Sequence, residues 1–256
     1  MPGLQNFLNY LRRLKVSLKT EISRKKKYAV FKKQFSEFKN QLGADVDILE
    51  NARLDDNTGI TPIEPHYTYH PAWAARVLAQ TRPAKHIDIS STTNFSTIAS
   101  AFVPFEFYDY RPANIYLSNY TQGRADLTNL HFESNSIESL SCMHTVEHIG
   151  LGRYGDPIDV NGDIKAMKEL ERVVKINGSL LFVVPIGNPR IEFNAHRVYA
   201  YDKIINTFNG LVLKEFTLIP DDFENTGYIT NPPVELINKQ HWGCGCFWFT
   251  KPGLQK

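Results

Sequence analysis

The sequence predicts an α/β protein in which a doubly wound, mostly parallel sheet follows an N-terminal helical arm. Strand-like and helix-like segments alternate from residue 85 onward, which is typical of a parallel sheet with helices on both faces. The run Ser179–Val184 is continuously apolar, as in a central strand that is buried on both faces. Residues 1–42 carry leucine and aromatic residues at three- and four-residue spacing, which indicates a long amphipathic helix.

Length and composition place the chain among globular proteins. It has 256 residues, of which 42% are hydrophobic and 22% are charged, and these values exclude a disordered chain or a collagen-like repeat. No run of about 18 apolar residues occurs, so we expect no membrane-spanning helix. No secretory signal pattern is seen either, and we therefore expect a cytoplasmic protein.

The three cysteines are Cys142, Cys244 and Cys246. An odd number in a sequence without an export signal indicates reduced thiols rather than a disulfide scaffold. Cys244 and Cys246 form a C-x-C pair, not the C-x-x-C pair of zinc ribbons. We expect this pair to lie on a buried strand.

Charge is distributed unevenly along the chain. Residues 1–40 carry eleven basic and two acidic side chains, a net charge of +9, whereas the remainder carries 18 basic and 25 acidic ones, a net charge of −7. A basic amphipathic helix is able to bind an anionic membrane surface, so peripheral contact with the inner face of a membrane is one prediction. The alternative is that the apolar stripe packs on the protein or on another subunit. No base-reading motif accompanies the basic residues, so we expect no nucleic acid partner.

The predicted elements divide the chain into three segments. Residues 1–42 form the arm, with Gly43 as its C-cap, and residues 43–82 form a connector with a helix near Pro71–Ala79. Residues 83–256 form the sheet domain. Its predicted strands are short apolar segments, in order His86–Ser90, Phe105–Tyr110, Ile137–Met143, Ser179–Val184, Leu211–Leu218 and Cys246–Thr250. Its predicted helices are Thr97–Val103, Gly162–Lys175, which Asn177–Gly178 terminates, and Tyr201–Phe208.

The segments Glu171–Pro185, ERVVKINGSLLFVVP, and Ala125–Ile149 carry recognisable motifs. The first contains a helix end, a turn and an apolar strand that stops at proline. The second contains an Asp-Leu pair, an apolar strand and the sequence His-Thr-Val-Glu-His. Both resemble the class I S-adenosylmethionine-dependent methyltransferases, and the resemblance covers about residues 83–190. It implies a Rossmann-like fold, S-adenosylmethionine as the cofactor and methyl transfer as the activity.

The segment Leu151–Asp159, LGRYGDPID, is further similar to an uncharacterised methyltransferase-like family linked with surface-glycan biosynthesis. This resemblance implies O-methylation of a sugar in a surface polysaccharide or glycolipid precursor. Two alternatives stay open: a catalytically inactive binding or scaffold protein in glycan assembly, and a nucleotide-sugar-binding protein on the same fold. The Ser/Thr-rich segment 90–94 in place of glycines favours an inactive protein, whereas the acids at 88, 109 and 126 favour the enzyme.

The resemblance implies cofactor contacts at the ends of the first two strands. Asp88 ends the first strand, where its carboxylate either faces the amino group of the cofactor or positions the following loop. Ser90 and Thr92 lie where the superfamily has glycines, and their hydroxyl groups are able to donate hydrogen bonds. Asp109 ends the second strand, where an acid binds both ribose hydroxyl groups; the alternative is a solvated loop acid.

Further cofactor contacts are expected from the next segments. Tyr110 either stacks on the adenine ring or packs against protein. Asp126 and Leu127 resemble the pair that binds adenine, in which the carboxylate accepts from the exocyclic amine and a backbone N–H faces a ring nitrogen. His144 follows the fourth strand and is expected to line the cofactor.

The segment His144–His148 has the H-x-x-E-H pattern, which also occurs in an inverted zinc-protease motif. It follows a strand directly, as in methyltransferases, and no third ligand is evident, so we predict no metal site. We predict His148 as a general base, with His144 and Asp156 as further catalytic candidates. The alternative is that Glu147 and His148 brace the loop by hydrogen bonds.

Three basic residues are candidates for binding the acceptor. Arg153 lies in the loop after the motif and suits a hydroxyl-rich or phosphate-bearing ligand. Arg190 and His196 follow the central strand, where they are expected to hold the diphosphate of a nucleotide sugar or lipid carrier. We therefore predict a small-molecule or glycan acceptor.

Overall fold

The chain divides into two compact units, Met1–Ile63 and Glu64–Lys256. A computed structural model describes residues 2–42 and 46–253. None of the helices in these ranges combines the length and the apolar character that are needed to cross a membrane.

The first unit contains helix α1, Pro2–Gln41, and this confirms the predicted long helix. Two ion pairs connect α1 to the segment that follows it: Lys27 lies 2.7 Å from Asp55, and Lys32 lies 2.6 Å from Glu50. Apolar side chains of the helix remain exposed, among them Val16, Leu18, Ile22, Val30 and Phe38. The expected C-cap, Gly43, lies outside the described residues.

The second unit contains the sheet and its covering helices. The helices are α2 Pro65–Thr81, α3 Thr93–Ala99, α4 Gly162–Val173, α5 Tyr201–Thr207, α6 Phe223–Thr226 and α7 Val234–Asn238, with a 3₁₀ turn at Val146–His148. The strands are β1 His86–Ile89, β2 Phe105–Asp109, β3 Tyr120–Arg124, β4 Ile137–Met143, β5 Val174–Ile186, β6 Arg190–Glu192, β7 His196–Val198, β8 Val212–Ile219, β9 Ile229–Thr230 and β10 Gly243–Thr250.

The main sheet has the strand order β3-β2-β1-β4-β5-β10-β8-β9. Strands β3, β2, β1, β4 and β5 pair in parallel, whereas β10 is antiparallel to β5 and β8. This arrangement confirms the predicted doubly wound, mostly parallel sheet. The strand order reverses between β1 and β4, so the chain connections leave this point in opposite directions and open a crevice there.

Strand β5 separates two hydrophobic clusters because its side chains alternate between the faces of the sheet. Leu180, Phe182 and Val184 belong to one cluster, and Leu181 and Val183 belong to the other. The strand is therefore buried on both sides, as its apolar run predicts. It begins at Val174 rather than Ser179, because α4 ends at Val173 and leaves the Asn-Gly pair as an irregularity inside the strand.

Helix α2 begins six residues before the predicted helix. The side chain of Glu64 accepts a hydrogen bond from the Tyr67 backbone and caps the helix, and Pro65 suits its first turn because proline lacks an N–H. The helix lies in the second compact unit, not in the connector.

Helix α3 likewise begins at Thr93 rather than Thr97, because the Thr92 hydroxyl accepts from Phe95 N and forms its N-cap.

Candidate functional site

A cavity of about 370 Å³ opens at the carboxyl ends of the parallel strands. It is lined by Ser90 after β1, by Asp109 at the end of β2, by Asp126 after β3 and by His144 after β4. Ligands of doubly wound sheets bind at this edge, beside the reversal of strand order. The volume lies within the range of roughly 300–1,000 Å³ that holds small ligands. We call this space the strand-end cavity.

The strand-end cavity brings together most of the residues that were predicted from the sequence. Its lining includes six predicted cofactor residues, Ser90, Asp109, Tyr110, Asp126, Leu127 and His144, and two predicted catalytic residues, His148 and Asp156. Their roles in binding and catalysis stay predictions. The lining also includes Arg111 and Thr145, which were not predicted although each is next in sequence to a predicted residue.

Asp88 is not among the residues that line the cavity, and its predicted contact with a cofactor stays a prediction. The side chain is fully buried. Its Oδ1 accepts a hydrogen bond of 2.9 Å from Ser91 N, and its Oδ2 accepts one from the Ser141 hydroxyl. Burial raises the pKa of Asp88 to about 6. The carboxylate therefore positions the loop after β1, which is the other role expected for it.

The contact between Asp88 and Ser141 continues through a buried chain of polar groups. His86 Nε2 lies 2.8 Å from the Ser141 hydroxyl, and His86 Nδ1 lies 2.7 Å from the Ser139 hydroxyl. Burial lowers the pKa of His86 to about 3, so the ring is neutral. Because Ser141 donates to Asp88, it accepts from His86 Nε2–H, and Nδ1 in turn accepts from Ser139.

The Ser/Thr-rich loop directs most of its side chains away from the cavity. Ser90 has φ +59°, a left-handed conformation that favours glycine. The Ser91 hydroxyl accepts a 3.0 Å hydrogen bond from Met143 N. Thr92 caps α3 and lines a separate groove between α2 and α3, and its predicted contact with a cofactor stays a prediction. Within segment 90–94, Ser90 is therefore the residue that lines the strand-end cavity.

Asp109 and Asp126 present carboxylates to the cavity in similar ways. Oδ1 of Asp109 accepts a 2.7 Å hydrogen bond from Arg111 N. Oδ1 of Asp126 accepts hydrogen bonds from the backbone and the hydroxyl of Thr128, at 2.9 and 2.7 Å. No donor among the described residues reaches Oδ2 of either acid. Each carboxylate is therefore oriented by its own loop and keeps one oxygen able to accept from a ligand.

His144 is a neutral ring with a partner on each nitrogen. Its Nδ1 lies 2.8 Å from Glu147 Oε1, and its Nε2 lies 3.3 Å from Cys244 Sγ. Burial lowers the pKa of His144 to about 3 and raises the pKa of Glu147 to about 7. At neutral pH the two groups thus form a hydrogen bond through the neutral imidazole rather than an ion pair.

His148 lines the cavity, and its Nε2 lies 3.8 Å from Glu147 Oε1. Its Nδ1 lies 2.6 Å from the carbonyl oxygen of Ala195, a distance that requires a proton between the two atoms. Arg153 Nη1 donates to the same carbonyl at 3.0 Å. Burial lowers the pKa of His148, so the ring is neutral and Nε2 carries a lone pair. Such a nitrogen is able to accept a proton.

Two guanidinium groups lie against the ring of Tyr154 in the loop after His148. Arg153 comes from the same loop and Arg111 from the loop after β2. The guanidinium groups of Arg111 and Arg153 lie 5.0 and 5.1 Å from the ring centre of Tyr154. Asp156 holds this loop, since its Oδ2 accepts from Gly150 N at 2.6 Å and its Oδ1 from Tyr154 N at 3.2 Å. The Asp156 carboxylate lines the cavity, but both its oxygens already accept backbone hydrogen bonds.

Arg190 and His196, like Arg153, are not among the residues that line the cavity, and their predicted role in binding an acceptor stays a prediction. Arg190 donates to the carbonyl of His241 at 2.8 Å and to Glu192 at 2.7 Å, and thereby fastens the β6–β7 hairpin. The His196 ring stacks on Trp242 with their centres 5.7 Å apart. Arg190 is thus engaged within the protein, whereas Nε2 of His196 is buried without a hydrogen-bond partner among the described residues.

Two donor groups join His144 from distant parts of the chain. His66 of α2 and Cys244 of β10 lie with it so that one ligand atom of each is within 4.8 Å of the others. The spacing of His66 and His70, four residues apart on a helix, was a usable sequence signal for a histidine cluster. No sequence signal indicates that Cys244 approaches these histidines, because its position depends on the pairing of β10 with β5.

Comparisons with known proteins agree with this architecture. A family described as a Caenorhabditis protein of unknown function, DUF268, matches residues 123–218. No curated protein matches the chain.

Solved methyltransferase structures superpose on the chain. A putative sarcosine dimethylglycine methyltransferase from Galdieria sulphuraria has a TM-score of 0.51 at 14% identity, over 72% of this chain and 86% of that one. A putative methyltransferase from Bacillus halodurans has a TM-score of 0.50 at 15% identity, over 72% of this chain and 99% of that one. The Burkholderia thailandensis 1,6-didemethyltoxoflavin-N1-methyltransferase was crystallised with S-adenosylhomocysteine. It has a TM-score of 0.51 at 6% identity, over 72% of this chain and 79% of that one. The chain therefore has the class I methyltransferase fold.

Proposed function

We propose that the strand-end cavity binds S-adenosylmethionine and that the protein transfers its methyl group to a hydroxyl group of a small acceptor. The observation that carries this proposal is the convergence of four strand ends on one cavity of about 370 Å³. Two of these ends supply the carboxylates of Asp109 and Asp126, each with one oxygen oriented by its own loop. The fold shared with solved methyltransferases supports the same ligand.

The residues of the cavity fit a nucleoside. Asp109 Oδ2 accepts hydrogen bonds from the ribose hydroxyl groups, and Asp126 accepts from the exocyclic amine of adenine. The backbone N–H of Leu127 faces a ring nitrogen. Ser90 keeps the glycine-like backbone that allows close approach of the ligand. The Ser91 hydroxyl bonds to Met143 N and the Asp88 carboxylate to Ser91 N, and neither residue lines the cavity.

The proposed acceptor chemistry uses His148 and the loop beside it. The bound cofactor supplies an electrophilic methyl group. His148 Nε2 takes the proton of the acceptor hydroxyl as the oxygen–carbon bond forms and the carbon–sulfur bond breaks, leaving a neutral thioether. Arg111 lines the cavity, and Arg153 lies against Tyr154, which also lines it; their positive charge favours an acceptor that carries phosphate. A sugar phosphate or a sugar diphosphate is the acceptor class that we propose.

The arm has a separate proposed role. Its net charge of +9 and its exposed apolar side chains support peripheral binding to the anionic inner face of a membrane. Such contact would bring the second unit to an acceptor that is carried on a lipid.

Isothermal titration of the purified protein with S-adenosylmethionine and S-adenosylhomocysteine tests the cofactor. We expect micromolar binding that Asp109→Ala weakens about 10- to 100-fold and that Asp202→Ala, at an exposed acid of α5, leaves unchanged. A heat of binding for a nucleotide sugar, and none for S-adenosylmethionine or S-adenosylhomocysteine, would instead support the nucleotide-sugar-binding alternative. No heat with any of them would support a scaffold protein.

A further inference from the structure

Three side chains with metal-binding atoms meet behind the strand-end cavity. His66 comes from α2, His144 from the end of β4 and Cys244 from β10, and one ligand atom of each lies within 4.8 Å of the others. His144 Nε2 and Cys244 Sγ are 3.3 Å apart. The rings of His66 and His144 stack with their centres 5.2 Å apart. Two imidazoles and one thiol form a borderline-soft donor set, which suits Zn²⁺.

The orientation of His144 matches that of a metal ligand. Histidines that bind metal commonly donate their second ring N–H to a carboxylate, which fixes the tautomer and the ring position. His144 Nδ1 makes such a contact with Glu147 Oε1 at 2.8 Å. The nitrogen that faces Cys244 is therefore the unprotonated Nε2, the atom that a metal requires.

His70 provides a second, independent observation. It lies one turn after His66 on α2 and is fully buried, with its ring centre 5.0 Å from that of His144. Its Nδ1 bonds the carbonyl of His66 at 2.6 Å, but its Nε2 has no partner among the described residues. Buried polar atoms of proteins are nearly always hydrogen-bonded, so an unpartnered Nε2 beside this cluster indicates a ligand.

We propose that His66, His144 and Cys244 bind one Zn²⁺ ion, with a water molecule in the fourth position that hydrogen-bonds to His70. Cys244 binds as the thiolate, so each ion that binds releases one proton from this group. Zinc sites with three protein ligands and one exchangeable position are typical of catalytic rather than purely structural zinc. His144 also lines the strand-end cavity, so the ion lies next to that cavity. The proposal stands on these residues and does not depend on methyl transfer.

Cobalt is a suitable probe, because tetrahedral Co²⁺ bound to a thiolate absorbs in the near ultraviolet and the visible. The full chain is treated with a chelator, titrated with Co²⁺ and then with Zn²⁺. We expect thiolate-to-cobalt charge transfer that saturates at one ion per chain and disappears as Zn²⁺ displaces Co²⁺. Cys244→Ser removes the charge-transfer band, and Glu147→Gln weakens cobalt binding about tenfold or more.

Cys246→Ala is the matched control. Cys246 lies two residues along the same strand with its sulfur 4.0 Å from that of Cys244, but it is outside the proposed ligand set. This variant is expected to keep the full band. Absence of the band in the unaltered protein, or its survival in Cys244→Ser, contradicts the proposal.

A measurement on the unaltered protein covers the case in which Cys244→Ser does not fold. All three cysteines are buried, so alkylation is followed by mass spectrometry until local opening has labelled them in the metal-free protein, and the same time course is repeated with Zn²⁺. Selective protection of Cys244 by the ion supports the site. Equal labelling in both conditions, or protection of Cys142 alone, overturns it.

Discussion

The hydroxyl of Ser141 on β4 donates a hydrogen bond to the buried carboxylate of Asp88 on β1. The two residues are also direct partners in the parallel register of these strands. Asp88 in turn holds Ser91 N, so the loop that lines the strand-end cavity is fastened to β4 through one side chain. The position of the loop is therefore coupled to the protonation of Asp88.

Asp88→Asn is expected to change the pH dependence of stability. Burial raises the pKa of Asp88 from 3.8 to about 6, so the folded state prefers the protonated form. The stability from this preference is complete below pH 3.8 and is lost as pH rises through about 6, a change of roughly 3 kcal/mol. Asparagine does not titrate. Urea unfolding from pH 4 to 7 should therefore show the variant gaining relative to the unaltered protein as pH rises, and parallel profiles would contradict this.

Asp109→Ala and Asp126→Ala are expected to weaken binding of S-adenosylmethionine about 10- to 100-fold each. The estimate follows from the loss of hydrogen bonds to a charged acceptor, which contribute about 1.5–3 kcal/mol. Isothermal titration measures the affinity, and Asp202→Ala is the control. Unchanged affinity in both variants would place the nucleoside elsewhere.

His148→Asn is expected to lower kcat about 100-fold or more, with little effect on cofactor affinity. Asparagine is able to donate to the Ala195 carbonyl in place of Nδ1, but it has no basic nitrogen. The rate of S-adenosylhomocysteine formation is measured with sugar phosphate and nucleotide-sugar acceptors. Full activity of the variant would show that His148 braces the loop instead.

Ser90→Gly is expected to stabilise the protein by about 1 kcal/mol, because a left-handed conformation strains any residue with a Cβ. Ser100→Gly provides the comparison. Ser100 has φ −60°, an ordinary helical value, so glycine there should lower stability by about 0.5–1 kcal/mol. Urea unfolding gives both values. A loss of stability in both variants would argue against strain at Ser90.

Deletion of residues 1–40 is expected to weaken sedimentation with vesicles that contain phosphatidylserine, while cofactor binding persists. The electrostatic part of this binding falls at high salt, so the unaltered protein should also dissociate as ionic strength rises. Vesicles of phosphatidylcholine alone are the control. Equal sedimentation of both proteins would indicate that α1 packs on protein.

Sequence patterns predicted the buried centre of the fold well. The bounds predicted for β4, Ile137–Met143, are those of the structure, because its apolar residues Ile137, Leu140, Cys142 and Met143 are flanked by polar segments. Strand β3, Tyr120–Arg124, was not predicted. It lies at the edge of the sheet, where most of its side chains are partly exposed. Its sequence, YTQGR, therefore shows no alternation of apolar and polar residues.

The sequence predicts the site residues that lie at the ends of strands. It does not predict contacts that depend on which residues of two neighbouring strands are paired. Asp109 and Asp126 reach the cavity because the ends of parallel strands share one edge of a sheet. Asp88 is diverted by its partner Ser141, and that pairing is set by the register of β1 on β4. The meeting of His66 with Cys244 likewise depends on the packing of α2 against β10, which no local pattern encodes.

The two-sided burial of β5 has a consequence for cooperativity. Because Phe182 contributes to one hydrophobic cluster and Leu181 to the other, neither cluster loses its packing without exposing part of the second. We therefore expect the two clusters to lose their packing together. Strand β4 pairs directly with β5, and β1, β2 and β3 follow it in the sheet, so we expect the strand ends at the cavity to lose their positions when this packing is lost.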